Sequence, residues 1–305
     1  MKSVLITGVF GFLGSRCLEH YRKRGYRVAG IGRSADAAPA QLTLLDNVCI
    51  GALTPENLGN FTDSFDLIVH CAGSGSVGKS LQDPLHDYAD TVEATRVLLE
   101  YMRCSQSGAR LVMASSAAVY GDKYTAPIRE SNPIDAISPY GHHKELAEQL
   151  CRDYASFYAL RISIVRFFSI YGPGLRKQLL WDACNKISAP GAQELEFFGS
   201  GTEIRDFIEI GDALRLIDIA ASVDAPFVIL NGGTGEATCI DGLVRLLADQ
   251  LAPGVTIRFN GQTRAGDPHY LCADTALAQE YGWRPETKLA EGVRRYVAWY
   301  RADAR

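Results

Sequence analysis

The chain has 305 residues, of which 47% are apolar and 22% charged, with a formal net charge of −4. That length can bury a substantial core, and the composition excludes a disordered or low-complexity chain. The basic residues are scattered rather than gathered in a stripe, which argues against nucleic acid as a partner. Eight cysteines, at 17, 49, 71, 104, 151, 184, 239 and 272, form no CxxC pair and show no metal-ligand spacing. The expectation is therefore no metal, reduced thiols and a cytoplasmic compartment. No apolar run is long enough to span a bilayer, so no membrane partner is expected either.

In chain order, short apolar runs at residues 4–7, 27–31, 66–71, 110–115 and 162–167 alternate with amphipathic stretches. Strands separated by helices imply βαβ units and a parallel sheet covered on both faces. Lys2 and the apolar run after it resemble a secretory leader, but glycines at 8, 11 and 14 interrupt the run and fit a turn better. The first helix is predicted over 13–24, with Gly25 as its C′ residue. A second covers about 85–103, its apolar face made by Leu85, Tyr88, Val92, Thr95, Val97, Leu98 and Leu99. A third starts at Ser138 as N-cap and Pro139 as N1 and runs through Tyr140, Lys144, Leu146, Leu150 and Tyr154. Beyond Tyr171, glycine-rich breaks at 172–174, 190–191, 199–201 and 231–233 punctuate shorter elements and suggest loops that shape a pocket. The fold expected is α/β, a Rossmann-type doubly wound parallel sheet with a smaller C-terminal substrate-binding region. Residues 1–171 form the first part and 172–305 mainly the second, with room for the chain to weave between them.

Residues 7–14, ThrGlyValPheGlyPheLeuGly, follow a strand and open a helix. Gly8 allows the tight turn, Gly11 lets the backbone approach a pyrophosphate, and Gly14 allows close helix packing, while the helix N-terminus favours an anion. Dinucleotide binding is the reading, with Phe10, Phe12 and Leu13 carried along in the turn. The second strand ends in Arg33 and Ser34, where an NAD site usually places an acid. An arginine there can pair with a 2′-phosphate, so the cofactor is NAD or NADP with NADP slightly favoured. Tyr140 and Lys144 are four residues apart and share one helix face. A tyrosine is a poor base at neutral pH, but a lysine ammonium and an oxidised nicotinamide nearby both favour the phenolate. Ser116, after a strand, is placed to hydrogen-bond the same substrate oxygen.

These residues together resemble the extended short-chain dehydrogenase/reductase family, in the branch that acts on nucleotide-diphosphate sugars and includes UDP-glucose 4-epimerase. The motif TGxxGFLG matches residues 7–14, SSxxVYG matches 115–121, and YxxxK matches Tyr140 and Lys144. Residues 66–73 resemble the family strand whose end lies along the cofactor, which puts Cys71, Ala72 and Gly73 there. Ser80 and Pro84 match a following serine and proline, and Ser80 is expected to face the sugar. Residues 166–173 look like the family's arginine, phenylalanine, asparagine, tyrosine-glycine-proline stretch. Arg205, Asp206 and Phe207 look like its RDF segment, and residues 264–267 like a second arginine motif. The resemblance makes Arg205 and Arg264 a clamp on the substrate's diphosphate.

Departures from the pattern narrow the expectation. The acid pair of the dehydratases is replaced by Ala117 and Ala118, which disfavours dehydration. Ser169 stands for a substrate-contacting asparagine, Ala52 for an acid that often meets adenine, and Thr91 for an asparagine that opens a helical segment. His143 replaces a serine beside Lys144 and reads as a helix-surface or dimer-face residue. The resemblance implies an NAD(P)-dependent 4-epimerase of a UDP- or dTDP-type sugar nucleotide, with Ser116, Tyr140 and Lys144 catalytic. A 4-ketoreductase using NADPH and a non-catalytic NADP-binding sensor are the alternatives. A homodimer is implied, paired through the YxxxK helix and its neighbour, with Leu146 and Leu150 available to it.

Overall fold

The computed structural model describes residues 1–33, 39–191, 193–262 and 266–303. Ser34 and Arg264 lie outside the described residues. The first half runs β1 (Ser3–Thr7), α1 (Phe12–Lys23), β2 (Arg27–Gly32), α2 (Pro39–Leu42), β3 (Asn47–Ile50), α3 (Pro55–Leu58) and β4 (Leu67–His70). Two short helices follow, α4 (Val77–Gln82) and α5 (Pro84–Tyr88), and a π-helical stretch, Ala89–Glu93, joins α5 to α6 (Ala94–Ser105). Then come β5 (Arg110–Ser116), a 3₁₀ turn at Ala117–Tyr120, α7 (Pro139–Tyr158) and β6 (Arg161–Phe167).

The second half begins with β7 (Ser169–Tyr171), α8 (Gln178–Ile187), β8 (Glu194–Phe197), β9 (Ile204–Arg205) and β10 (Phe207–Glu209). It continues through α9 (Ile210–Ser222), β11 (Phe227–Gly232), β12 (Thr238–Cys239), α10 (Ile240–Leu251), β13 (Thr256–Phe259), α11 (Ala276–Glu280) and α12 (Leu289–Asp303).

Among the described residues seven strands form one sheet in the order β3-β2-β1-β4-β5-β6-β11, every pair parallel. All five residues of β1 are buried, as a strand covered on both faces requires. Val4 and Ile6 join Leu18 and Tyr21 of α1 and Leu216 and Ile217 of α9 on one face. Leu5 joins Leu98, Leu99 and Met102 of α6 and Ala147 and Cys151 of α7 on the other. A third apolar cluster binds α8, α10 and α12 through Leu180, Leu243, Leu247 and Tyr296. β11 and α9, which come after residue 172, join the main sheet and its core. The chain order reverses direction between β1 and β4, and that switch point opens a crevice at the C-terminal strand ends.

Gly25, at φ +76°, ends the first helix in the left-handed conformation expected of a C′ glycine. Ser138 caps α7 by accepting from Gly141 N at 3.2 Å, with Pro139 in the first turn. The apolar face predicted from residue 85 starts later than the spacing suggested. Leu85 is 82% exposed and Tyr88 is also exposed, while Val92, Leu98, Leu99 and Met102 are buried. The π-helical turn offsets the residues before it from the face that α6 presents to the sheet. All eight cysteines are free thiols. Among the described residues no helix is long and apolar enough to cross a membrane.

Candidate active site

Close packing of backbone against backbone builds one wall of the crevice. Gly8, at φ +65°, lies so near the end of β4 that a Cβ there would stand 2.7 Å from Ala72 N. A Cβ on Gly14 would stand 2.1 Å from Gly8 O. Only glycine fits either position without moving main chain. Gly11 is the N-cap of α1 and offers no side chain, so the first turn of that helix is left without a side-chain cap. Phe10 packs on Gly32 at the end of β2, where a Cβ would meet its ring at 3.0 Å. Phe12 and Leu13 pack into the core beneath the turn.

The opposite wall brings Ser116, Tyr140 and Lys144 together. Alternation along β5 sends Ser115 into the protein, where it donates to Glu148, and leaves Ser116 at the crevice. Ser116 Oγ accepts from Ala118 N at 3.1 Å, so its own proton remains available to donate. The 3₁₀ turn after it packs on α7 so tightly that a Cβ on Gly141 would stand 2.6 Å from Ala118 O. That contact sets Tyr140 beside Ser116, whose hydroxyl acts on the phenol. One turn along α7, Lys144 Nζ donates to Ala114 O at 3.2 Å and passes beside Gly73, whose Cβ would be 3.2 Å away.

Burial and charge pull these groups in different directions. Burial pushes the Tyr140 phenol above its ordinary value, the Ser116 hydroxyl pulls it down, and the Asp87 carboxylate pushes it up. Lys144 is held below the usual lysine value by burial, against the pull of Asp87. For the phenol, desolvation outweighs the pull of Ser116. His70, buried under the site at the end of β4, is pushed down to about 3 by burial and by Lys144. It stays neutral, and its tautomer follows from its neighbours. Thr95 Oγ1 donates to Thr91 O at 2.6 Å, so it accepts from His70 Nε2 at 3.1 Å. His70 Nδ1 then accepts from Thr7 Oγ1 at 2.6 Å, and Thr7 Oγ1 accepts from Ala72 N at 3.2 Å. This chain of bonds fastens the Cys71, Ala72 and Gly73 segment to β1 and α6.

His143 is not a surface residue. It is 8% exposed, its Nδ1 lies 2.6 Å from Asp87 Oδ2, and the Tyr88 ring covers it edge-on. The sequence reading failed there because Asp87 lies 56 positions away. Other residues stand behind the site. Arg166 pairs with Glu148 through two nitrogens, at 2.7 and 3.1 Å, and donates to Tyr120 Oη, which donates to Asn231. Thr91 Oγ1 accepts from Ser74 N at 3.2 Å.

The remaining expected residues are placed as follows. Ser80 is fully buried, donates to Val77 O at 2.7 Å and accepts from Tyr140 N at 3.0 Å, so it holds the start of α7. Ser169 lies on β7, its backbone N donating to Asp206 O at 2.9 Å. The Arg205 guanidinium pairs with Asp267 and donates to Ile204 O at 2.8 Å. The two arginine motifs thus meet through Asp267. Arg33 is not free: Asp90 Oδ2 lies 2.6 Å from its guanidinium. Among the described residues no three His, Cys, Asp or Glu side chains gather to hold a metal.

Residues 4–229 match the model of the NAD dependent epimerase/dehydratase family. The chain belongs to this family. Relatives within reach include the "Uncharacterized UDP-glucose epimerase YtcB" of Bacillus subtilis, 30% identical with 97% of both chains covered. The UDP-glucuronate 4-epimerase of Thermodesulfobacterium geofontis is 29% identical, over 98% of this chain and 96% of that one. Among solved structures, MoeE5 in complex with UDP-glucuronic acid and NAD superposes with a TM-score of 0.87 at 28% identity, covering 99% of both chains. The family's seven-stranded Rossmann-like sheet is the one described above.

Proposed function

We propose that this protein is a nucleotide-sugar 4-epimerase with NAD or NADP as its resident cofactor, inverting a sugar at C4 through a transient 4-keto intermediate. The meeting of Ser116, Tyr140 and Lys144 beside Gly73 and the Gly8 turn carries the reading. The cradle at Gly8 and Gly14, where a Cβ would fill the space, and the uncapped start of α1 suit a diphosphate. In this reading Gly8, Phe10, Gly11, Phe12, Leu13 and Gly14 hold the diphosphate half. Cys71, Ala72 and Gly73 line its side, and Tyr140 and Lys144 reach the nicotinamide ribose. A bound dinucleotide supplies a hydride acceptor that later returns the hydride.

The phenolate of Tyr140 takes the proton of the C4 hydroxyl, and the phenol so formed gives it back to the oxygen of the ketone. Ser116 donates to that same oxygen, its hydroxyl proton being left free while Ala118 N donates to one of its lone pairs. The ammonium of Lys144, anchored on Ala114 O, offsets the burial that opposes a phenolate. Arg205 and Arg264 clamp the substrate's diphosphate, a match for planar, permanently charged groups. The relatives' names carry UDP sugars, which favours a UDP over a dTDP nucleotide here. Exposed Leu85 and Tyr88 beside α7 support a homodimer paired across these helices.

The ketoreductase alternative leans on Arg33, whose charge Asp90 engages, and a sensor has no use for Tyr140. The test is incubation with UDP-glucose, UDP-N-acetylglucosamine and their uronic acids without added NADPH, read by NMR. A C4 epimer supports the proposal. If none forms with any of them while a 4-keto-6-deoxy sugar nucleotide drives stoichiometric NADPH loss, the reductase replaces it.

A further inference from the structure

Arg33 follows directly on β2, the position that faces the adenosine ribose in a Rossmann crevice. Its Nη2 lies 2.6 Å from Oδ2 of Asp90, in the π-helical stretch Ala89–Glu93. The same oxygen lies 3.3 Å from Nε2 of His86. Asp90 belongs to the other side of the crevice, for its carbonyl stands 3.8 Å from where a Cβ of Gly73 would be, in the loop after β4. In the sheet β2 and β4 flank β1. The ion pair therefore runs from the end of β2 to the far side of the glycine turn. The Asp90 side chain is only 20% exposed, so its charge is partly shielded from solvent.

We propose that Asp90 sets the dinucleotide preference of this protein, selecting a cofactor with a free 2′-hydroxyl, NAD, against one with a 2′-phosphate, NADP. The inference rests on the dinucleotide reading of the crevice. A 2′-phosphate calls for a cation at the end of β2, and among the described residues the cation there, Arg33, is already shared with a carboxylate. To reach Arg33 the phosphate must displace Asp90 or sit beside it. Displacement exchanges one charge-assisted bond for another with no net gain, and coexistence sets like charges together. A ribose hydroxyl carries no charge and meets neither obstacle. Asp90 thus supplies, from 57 positions further along the chain, the acid that the end of β2 lacks.

The test is calorimetric titration of the full chain with NAD⁺ and with NADP⁺, without sugar nucleotide, so that binding and not turnover is read. The wild type is expected to bind NAD⁺ at least about tenfold more tightly. Asp90→Asn should tighten NADP⁺ by about tenfold while NAD⁺ stays within about threefold, and Asp90→Glu should keep the wild-type preference. Adding Arg33→Ala to Asp90→Asn should remove the gain. Asp90→Ala provides a second charge-removing variant, and thermal unfolding checks that each variant folds. A wild type that prefers NADP⁺ overturns the proposal, as does an unchanged ratio in folded Asp90→Asn and Asp90→Ala. Binding of neither dinucleotide overturns the cofactor reading itself, an outcome distinct from a wrong preference.

Discussion

The carboxylate of Asp87 and the imidazole of His143 meet at 2.6 Å in the layer where α5 packs on α7, both nearly excluded from solvent. The second oxygen of Asp87, Oδ1, is buried with no hydrogen-bond partner. A carboxylate held in this way acts on its neighbours mainly through its charge, and it raises both Tyr140 and Lys144.

Asp87→Asn should therefore move the whole pH profile of turnover to lower pH. A required phenolate at Tyr140 makes activity rise with pH through that group, and a required ammonium at Lys144 makes it fall through the other. Removing the carboxylate lowers both, so both limbs shift the same way. The measurement is kcat against pH for wild type and variant. A shift to higher pH, or none, contradicts the placement. The variant should also lose roughly 1–3 kcal/mol of stability, because His143 loses its charged partner.

Tyr140→Phe should keep the fold and the binding of dinucleotide while turnover falls on the order of a hundredfold to ten-thousandfold. The ring stays, but the group that moves the proton is gone. Steady-state kinetics alongside a dinucleotide titration check both halves, and near wild-type activity would remove Tyr140 from the mechanism.

His70 links stability to acid. Its folded value is depressed to about 3 from an ordinary 6.5, because burial disfavours its charged form. The stability this contributes is present above the unfolded value and drains away as pH falls from about 6.5 toward 3. The slope is up to about 1.4 kcal/mol per pH unit. Urea unfolding at a series of pH values should show this loss in the wild type and a shallower loss in His70→Gln. Parallel curves would place the acid sensitivity elsewhere.

Gly14→Ala should destabilise the protein by on the order of 1–3 kcal/mol and weaken dinucleotide binding together, since the new methyl meets Gly8 O at 2.1 Å. The same change at Gly25, at φ +76° but with nothing within 4 Å of a Cβ, strains only the local backbone. Thermal unfolding and a dinucleotide titration of both variants separate crowding in the crevice from general glycine loss.

Much of this was legible in the sequence because it is local. The run of βα alternations, the glycines of residues 7–14, the Ser138–Pro139 start of α7 and the shared face of Tyr140 and Lys144 all follow from spacings within one or two turns of chain. The sequence by itself thus determined the fold class, the glycine turn and the residues for which catalytic roles are proposed. Tertiary structure alone decided which charges meet. Asp87 reaches His143 across 56 positions, Asp90 reaches Arg33 across 57, and Arg205 reaches Asp267 across 62. It also decided that β11, late in the chain, closes the edge of the main sheet beside β6. A charged residue in a sequence has a sign but no address. Its partner is set by the packing of elements that buried apolar area brings together, and that packing made a buried pair of His143 and an ion pair of Arg33.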